Sequence, residues 1–147
     1  ACMSFSEEGI MHLIHNKEYN ASDLLVDVCA NNKLGIARFL IQQGASVNTP
    51  NSKGDFPLIK ACHLENIEVI KFLLEQTGIN VNVKDKYLNT PLIYLLFNEN
   101  NSIDIEELIK LFKAKGADID AINKNNETAI MVACSCQTFK EVNVLLE

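Results

Sequence analysis

The sequence predicts an all-α solenoid in which helix-turn-helix pairs stack in register and are joined by β-hairpin-like loops. Three observations carry that expectation. Leu25, Leu58, Leu92 and Ile130 head similar segments at intervals of 33, 34 and 38 residues, so the 147-residue chain repeats itself with a base period of 33. A period in this range marks an array built from one supersecondary unit. Within a unit the apolar residues fall at helical spacing in two short runs, as in Leu24, Leu25 and Val28 and then Ile36, Ala37, Leu40 and Ile41. Each run is too short to be a stable lone helix and must bury its stripe against a neighbour. Finally, Gly44, Gly78 and Gly116 follow the second run of the first three units, where a helix commonly ends on a left-handed residue.

Taken in order, residues 1–22 read as a capping helix and lead-in. Ser6, Glu7 and Glu8 supply a helix start, and Ile10, Met11, Leu13 and Ile14 supply an apolar stripe to cover the first unit. The repeat domain occupies 23–147, with units at about 23–50, 51–84, 85–122 and 123–147. Polar turns such as 51–55 read as hairpin tips, flanked by Val47, Val81 and Ile119 as short extended anchors. Thr77 lengthens the second unit by one residue, and five further residues fall within 98–105 of the third. That polar segment is a longer helix-to-helix loop, either a tolerated surface insertion or a partner-binding loop. Ser102 and Asp104 are good helix-start residues there, with Glu106 and Glu107 near the positive end of the helix. The chain opens on Ala1, and the fourth unit stops at Glu147 before a Gly-Ala hairpin. This reads as a piece of a longer array or as a terminal helix serving as the C-terminal cap.

The second unit contains Gly54, Pro57-Leu58, Ala61, Val69-Ile70, Leu73-Leu74 and Val81-Asn82, and the third contains Thr90-Pro91-Leu92, Leu108-Ile109 and Gly116-Ala117-Asp118. Over residues 23–147 this pattern resembles the ankyrin repeat. The His that the family places after Pro-Leu is Val26, Ile59, Ile93 and Met131 here, and its Pro is Leu24 in the first unit and Ala129 in the last. These departures remove side-chain hydrogen bonds that tie neighbouring turns.

The resemblance implies a non-catalytic module that binds a partner protein through a concave wall of hairpin tips and exposed first-helix faces, read by the positions that vary between repeats. Those positions are Lys53, Asp55, His63 and Leu64, then Lys86, Tyr87, Asn89, Phe97 and Asn98, then Lys124, Asn125, Glu127 and Ser135. Tyr87 leads the set, because an aromatic with a hydroxyl at a polar tip has no evident packing role and tyrosine is enriched where interfaces bury surface. Leu88 stands where the turn glycine is usual, so the alternative is that Tyr87 and Leu88 fold inward together. Other readings are a targeting or substrate-binding domain of a larger enzyme or host-directed effector, or an inhibitor of a partner enzyme. The resemblance also places Asn48 and Asn82 where family asparagines can be β-hydroxylated, although the acidic residue of that motif is Ser46 and Asn80 here.

Composition narrows the partners. The 13 basic residues are scattered among 19 acidic ones for a net charge of −6, which argues against nucleic acid and against an anionic membrane. The longest apolar stretch, Pro91–Phe97, is far short of the ~20 residues of a membrane span, and no signal-peptide pattern is present. The expectation is a cytoplasmic monomer with a protein partner, no cofactor and no catalytic or metal-binding residue. Five cysteines without a CxxC pair suit neither a disulfide framework nor a four-ligand zinc site. Cys29, Cys62 and Cys134 share the repeat position that is Leu96 in the third unit, which reads as core packing. Helices in consecutive repeats lie roughly 8–10 Å apart, beyond the roughly 7 Å Cα limit for a disulfide, so Cys29 and Cys62 should stay reduced. Cys136 is the expected exposed thiol. His12 and His15 lie on the cap helix facing solvent, and no nucleophile, phosphate-loop or dinucleotide motif accompanies them.

Overall fold

The computed structural model describes residues 9, 10, 12, 15, 16, 20–97 and 103–147. From residue 20 onward these form eight helices, α1 Ala21–Ala30, α2 Leu34–Gln42, α3 Pro57–His63, α4 Ile67–Leu74, α5 Pro91–Phe97, α6 Ile103–Ala114, α7 Ala129–Ser135 and α8 Phe139–Leu146. No strand occurs among the described residues. The first helices α1, α3, α5 and α7 stack one upon the next, as do the second helices α2, α4, α6 and α8. The predicted solenoid is the observed one.

Local chemistry sets the helix ends. The Asn20 side chain accepts from the Ser22 N–H at 2.9 Å at the start of α1, and the Thr90 hydroxyl accepts from the Ile93 N–H at 3.3 Å at the start of α5. Pro57 and Pro91 open α3 and α5, where the missing N–H costs nothing. Three of the first helices close identically. Asn32, Glu65 and Gln137 take φ of +55°, +55° and +59°, and the following N–H groups of Lys33, Asn66 and Thr138 return to Val28, Ala61 and Ala133 at 2.9–3.0 Å. This left-handed closure satisfies the last carbonyls and turns the chain into the second helix. At the end of the second helices Gly44 and Gly116 adopt φ of +95° and +85° with open space around a would-be Cβ. Backbone conformation, not crowding, therefore dictates glycine there.

One continuous core runs through the stack, with Leu25, Cys29, Leu40, Leu58, Cys62, Leu73, Leu92, Leu96, Leu108, Phe112 and Leu145 all buried. Each large side chain fully buried is worth about 1.5–3 kcal/mol. Ile10 joins this core while His12 and His15 are exposed. The other residues of that predicted helix, and the loop 98–102, lie outside the described residues.

Asparagines tie neighbouring units together. The Asn48 amide donates to the Gly78 carbonyl and accepts from the Asn80 N–H, both at 2.8 Å. Asn82 repeats the pattern one unit later, to Gly116 at 3.1 Å and from Asp118 at 2.8 Å. Asn66, just before α4, donates back to the carbonyls of Cys29 and Ala30 at 2.7 and 3.0 Å. Lys113 of α6 likewise caps α8 by donating to Val144 and Leu145.

Three expectations are corrected. Val47, Val81 and Ile119 sit in turns instead of extended segments. Cys134 is exposed, not core. Its repeat counterparts Cys62 and Leu96 are buried because that position faces the following helix pair, and among the described residues no further helix pair follows α7 and α8. The same register exposes Met131 where Ile59 and Ile93 are buried, and Leu146 where Leu74 is buried. Third, Cys136 is half-buried, with its thiol directed at the Phe97 carbonyl at 3.7 Å, so Cys134 is the more exposed of the two. Cys29 and Cys62 are buried and lie outside any disulfide. Burial pushes the Cys29 thiol up to about 12 and also raises that of Cys62, which keeps both protonated and unreactive at neutral pH. One core position is chemically anomalous. Glu141 takes the place in α8 held by Ile36 in α2 and Val69 in α4, is only 2% exposed, and leaves Oε2 without a hydrogen-bond partner.

Candidate partner-binding surface

The turns at 51–55, 85–89 and 123–127 form three fingers with one construction. The first residue of each, Asn51, Asp85 or Asn123, bends its side-chain oxygen over the turn and accepts two backbone N–H groups. Asn51 accepts from Lys53 and Asp55 at 3.0 and 2.9 Å, Asp85 from Tyr87 and Asn89 at 2.9 and 3.0 Å, and Asn123 from Asn125 and Glu127 at 2.9 and 3.0 Å. Such side-chain-to-backbone closure is what Asn and Asp supply in turns. The fourth residue has positive φ in each finger: Gly54 at +83°, Leu88 at +61° and Asn126 at +61°. Leucine is strained in that region by roughly 1–2 kcal/mol. Tyr87 and Leu88 both point outward, at 51% and 41% exposure, so the inward-folding alternative is not what the chain does.

The fingers are not equally joined. Between the second and third, the Lys124 N–H donates to the Tyr87 carbonyl at 3.0 Å, and the Asn123 amide donates to Asn89 Oδ1 at 3.1 Å. Between the first and second no hydrogen bond forms among the described residues. A cavity of about 180 Å³ opens there, lined by Lys53, Asp55 and Lys60 on one side and Asp85, Lys86, Tyr87 and Tyr94 on the other, with His63 in its floor. A smaller one of about 130 Å³ lies across Tyr87, bounded by Phe97, Lys124 and Asn125.

Inside the larger cavity the anions are already engaged. Asp55 pairs with Lys60 at 3.4 Å, and Asp85 accepts the Tyr94 hydroxyl at 2.6 Å. Burial first, and then the hydrogen bond and negative charge of Asp85, raise the Tyr94 pKa above the ordinary tyrosine value. The Tyr94 ring stacks on His63 at 4.9 Å between centroids and lies 6.1 Å from Phe97. Lys86 sits 5.0 Å over the Tyr87 ring.

Of the residues expected to read a partner, Lys53, Asp55, His63, Lys86 and Tyr87 converge on the larger cavity. Tyr87, Asn89, Lys124 and Asn125 line the smaller. Asn89 is nevertheless only 8% exposed and accepts from the Asn123 amide, tying the fingers together. Glu127 accepts from Asn123 and Asn125 at 3.0 and 3.4 Å and lines neither cavity. Asn98 lies outside the described residues. Sequence reasoning missed Lys60, Tyr94 and Asp85. A signal existed for the first two, since Lys60 precedes His63 and Tyr94 precedes Phe97 by three residues, the spacing that shares a helix face.

The family model for ankyrin repeats (3 copies) matches residues 1–85 and, in a second register, 24–106. The chain belongs to the ankyrin-repeat family. Among relatives, alpha-latrocrustotoxin-Lt1a of Latrodectus tredecimguttatus is 36% identical over 104 residues, covering 69% of this chain and 7% of the toxin. The putative ankyrin repeat protein YahD of Escherichia coli is 24% identical over 133 residues, 90% of this chain and 66% of its own. The putative ankyrin repeat protein FPV230 of fowlpox virus is 36% identical over 89 residues, 56% of this chain and 46% of its own. The chain thus spans only part of the length of each of these relatives. Ankyrin repeats as a class are protein-interaction modules and the fold is typically non-catalytic, which gives the finger face its context. No helix among the described residues of this ankyrin chain is long and apolar enough to cross a membrane, and no group of three or more metal-ligating side chains occurs among them.

Proposed function

We propose that this ankyrin-repeat chain is a non-catalytic, cytoplasmic recognition module that binds a partner protein on the face formed by its fingers and first helices. The observation that supports it best is the concentration of exposed aromatic surface there. Tyr87 and Phe97 stand 51% and 40% exposed, and Tyr87 separates the two cavities. Exposed aromatics flanked by lysines and amides have the composition of an interface centre with a polar rim. Leu88, held outward at an energetic cost, adds apolar area to the same rim.

A second reading, that this face serves as the substrate-binding or targeting part of a larger enzyme, is favoured by one comparison. A probable serine/threonine-protein kinase of Dictyostelium discoideum is 31% identical over 104 residues, which is 12% of that kinase. Both readings use the same surface. A photo-crosslinking amino acid placed at Tyr87 should trap a partner from cells, whereas one at Lys110, exposed on α6, should not. The Tyr87→Ala, Lys86→Glu double variant should lose the same partner while keeping its thermal melt. Equal trapping at both positions would remove the finger face as the binding surface.

A further inference from the structure

We infer that the cleft between the first and second fingers takes an acidic side chain, a carboxylate or a phosphate ester, presented by an extended segment of the partner protein. This rests on the finger face being the binding surface and goes on to name the chemistry it reads.

The chain as a whole is acidic, at −6, yet the cleft is lined by Lys53, Lys60 and Lys86 against Asp55 and Asp85. Both carboxylates have partners, Asp55 in Lys60 and Asp85 in the Tyr94 hydroxyl and two backbone N–H groups. Lys53 has no ion-pair partner among the described residues, and Lys86 contacts only the face of the Tyr87 ring. Two solvent-exposed cations with no carboxylate partner among the described residues therefore flank an opening whose own carboxylates are engaged. A volume of about 180 Å³ corresponds to about six water molecules at roughly 30 Å³ each, enough for one carboxylate-bearing side chain and its methylenes. Those methylenes would rest on the stacked His63 and Tyr94 rings, 4.9 Å apart. The third finger offers the contrast, because its junction with the second is tied by hydrogen bonds and leaves only the smaller cavity of about 130 Å³. An extended backbone, with side chains alternating in direction, can send one residue into the cleft and lay a neighbour over Tyr87 toward the smaller cavity.

The test is selection of a random-peptide display library on the intact chain, followed by affinity and amide-shift mapping with the recovered peptides and with their phosphoserine counterparts. Recovered sequences should be enriched in Asp and Glu. Their affinity should fall about tenfold or more, roughly 1.4 kcal/mol, in the Lys53→Glu, Lys86→Glu variant, and by less in Lys53→Gln, Lys86→Gln. It should also weaken as salt is raised, and the shifts should centre on Lys53, Lys86, His63 and Tyr94. A phosphoserine peptide binding more tightly than its Glu version would identify phosphate as the source of the charge, and the reverse would identify carboxylate. Recovery without acidic enrichment, affinities unmoved by both variants, or an empty selection would overturn the inference. In the first two cases shifts at Tyr87 and Phe97 would leave the finger face standing as the binding surface, whereas shifts confined to Lys110 and Leu111 on α6 would overturn both.

Discussion

The two finger junctions are built from the same turn and differ, among other positions, in the two side chains that face each other across them. At the junction of the second and third fingers, Asn89 faces Asn123, and an amide N–H meets an amide oxygen at 3.1 Å. At the junction of the first and second, the equivalent residues are Asp55 and Asp85. Neither ionised carboxylate has a donor to offer the other, and like charges repel. Each turns away, Asp55 to Lys60 and Asp85 to Tyr94, and the fingers part around the larger cavity. The amide pair thus accompanies the tied junction and the acid pair the parted one.

The largest effect should come from converting the closed junction into the open type. Asn123→Asp keeps the oxygen that closes the third finger but removes the N–H groups donated to Asn89 and Glu127. It also sets a carboxylate at a site only 4% exposed. Leaving buried acceptors unpaired there should cost about 2 kcal/mol, read as a lower denaturant midpoint in the full chain. A change within about 0.5 kcal/mol, the range of ordinary surface substitutions, would mean that the asparagine pair does not hold the fingers.

The converse substitution should act more gently and with opposite sign. Asp85→Asn retains the acceptor for the Tyr87 and Asn89 N–H groups and supplies a donor that Asp55 can accept. The gain should be at most about 1 kcal/mol, one hydrogen bond's net worth, and is offset by loss of the bond from Tyr94, because its acceptor Oδ2 becomes an NH2 group. The sharper readout is geometric: amide shifts of Lys53 and Lys86 should move together as the cleft narrows, and affinity for any acidic peptide that uses it should drop. If stability rises but the shifts of the first finger stay fixed, the cleft is set by something other than these carboxylates.

This contrast also shows where sequence reading reaches its limit. The 33-residue period, the paired apolar runs and the glycines at 44, 78 and 116 located the solenoid, because each follows from what a single unit must do to fold. Cys134 was misread for the opposite reason. Its repeat counterparts are buried against a following helix pair, and among the described residues no pair follows α7 and α8. Asn89 looked like a surface letter because polar residues usually are; only its partner Asn123, 34 residues away, makes it a buried one. Tyr94 fell in an apolar run that reads as core, yet its hydroxyl reaches Asp85 at the mouth of the cleft. The recurrence of Asn or Asp at 51, 85 and 123 was the legible cue to the finger construction.

The smallest expected effect concerns that hydroxyl. Tyr94→Phe removes the bond donated to Asp85 while leaving Asp85 its two backbone donors, so at neutral pH the loss should be at most about 1 kcal/mol. The pH dependence is more specific. Burial, the bond to Asp85 and its charge raise the Tyr94 pKa in the folded chain, so the folded form holds this proton to higher pH than the unfolded form. Its contribution is fully present below the ordinary tyrosine value of about 10 and is lost as pH climbs through the raised value. Wild type should therefore lose stability more steeply than Tyr94→Phe above about pH 10, and the two denaturation curves should draw together there. Parallel curves across the alkaline range would show that Asp85 does not hold the Tyr94 proton. The open junction would then owe its shape to the Asp55 to Lys60 pair alone.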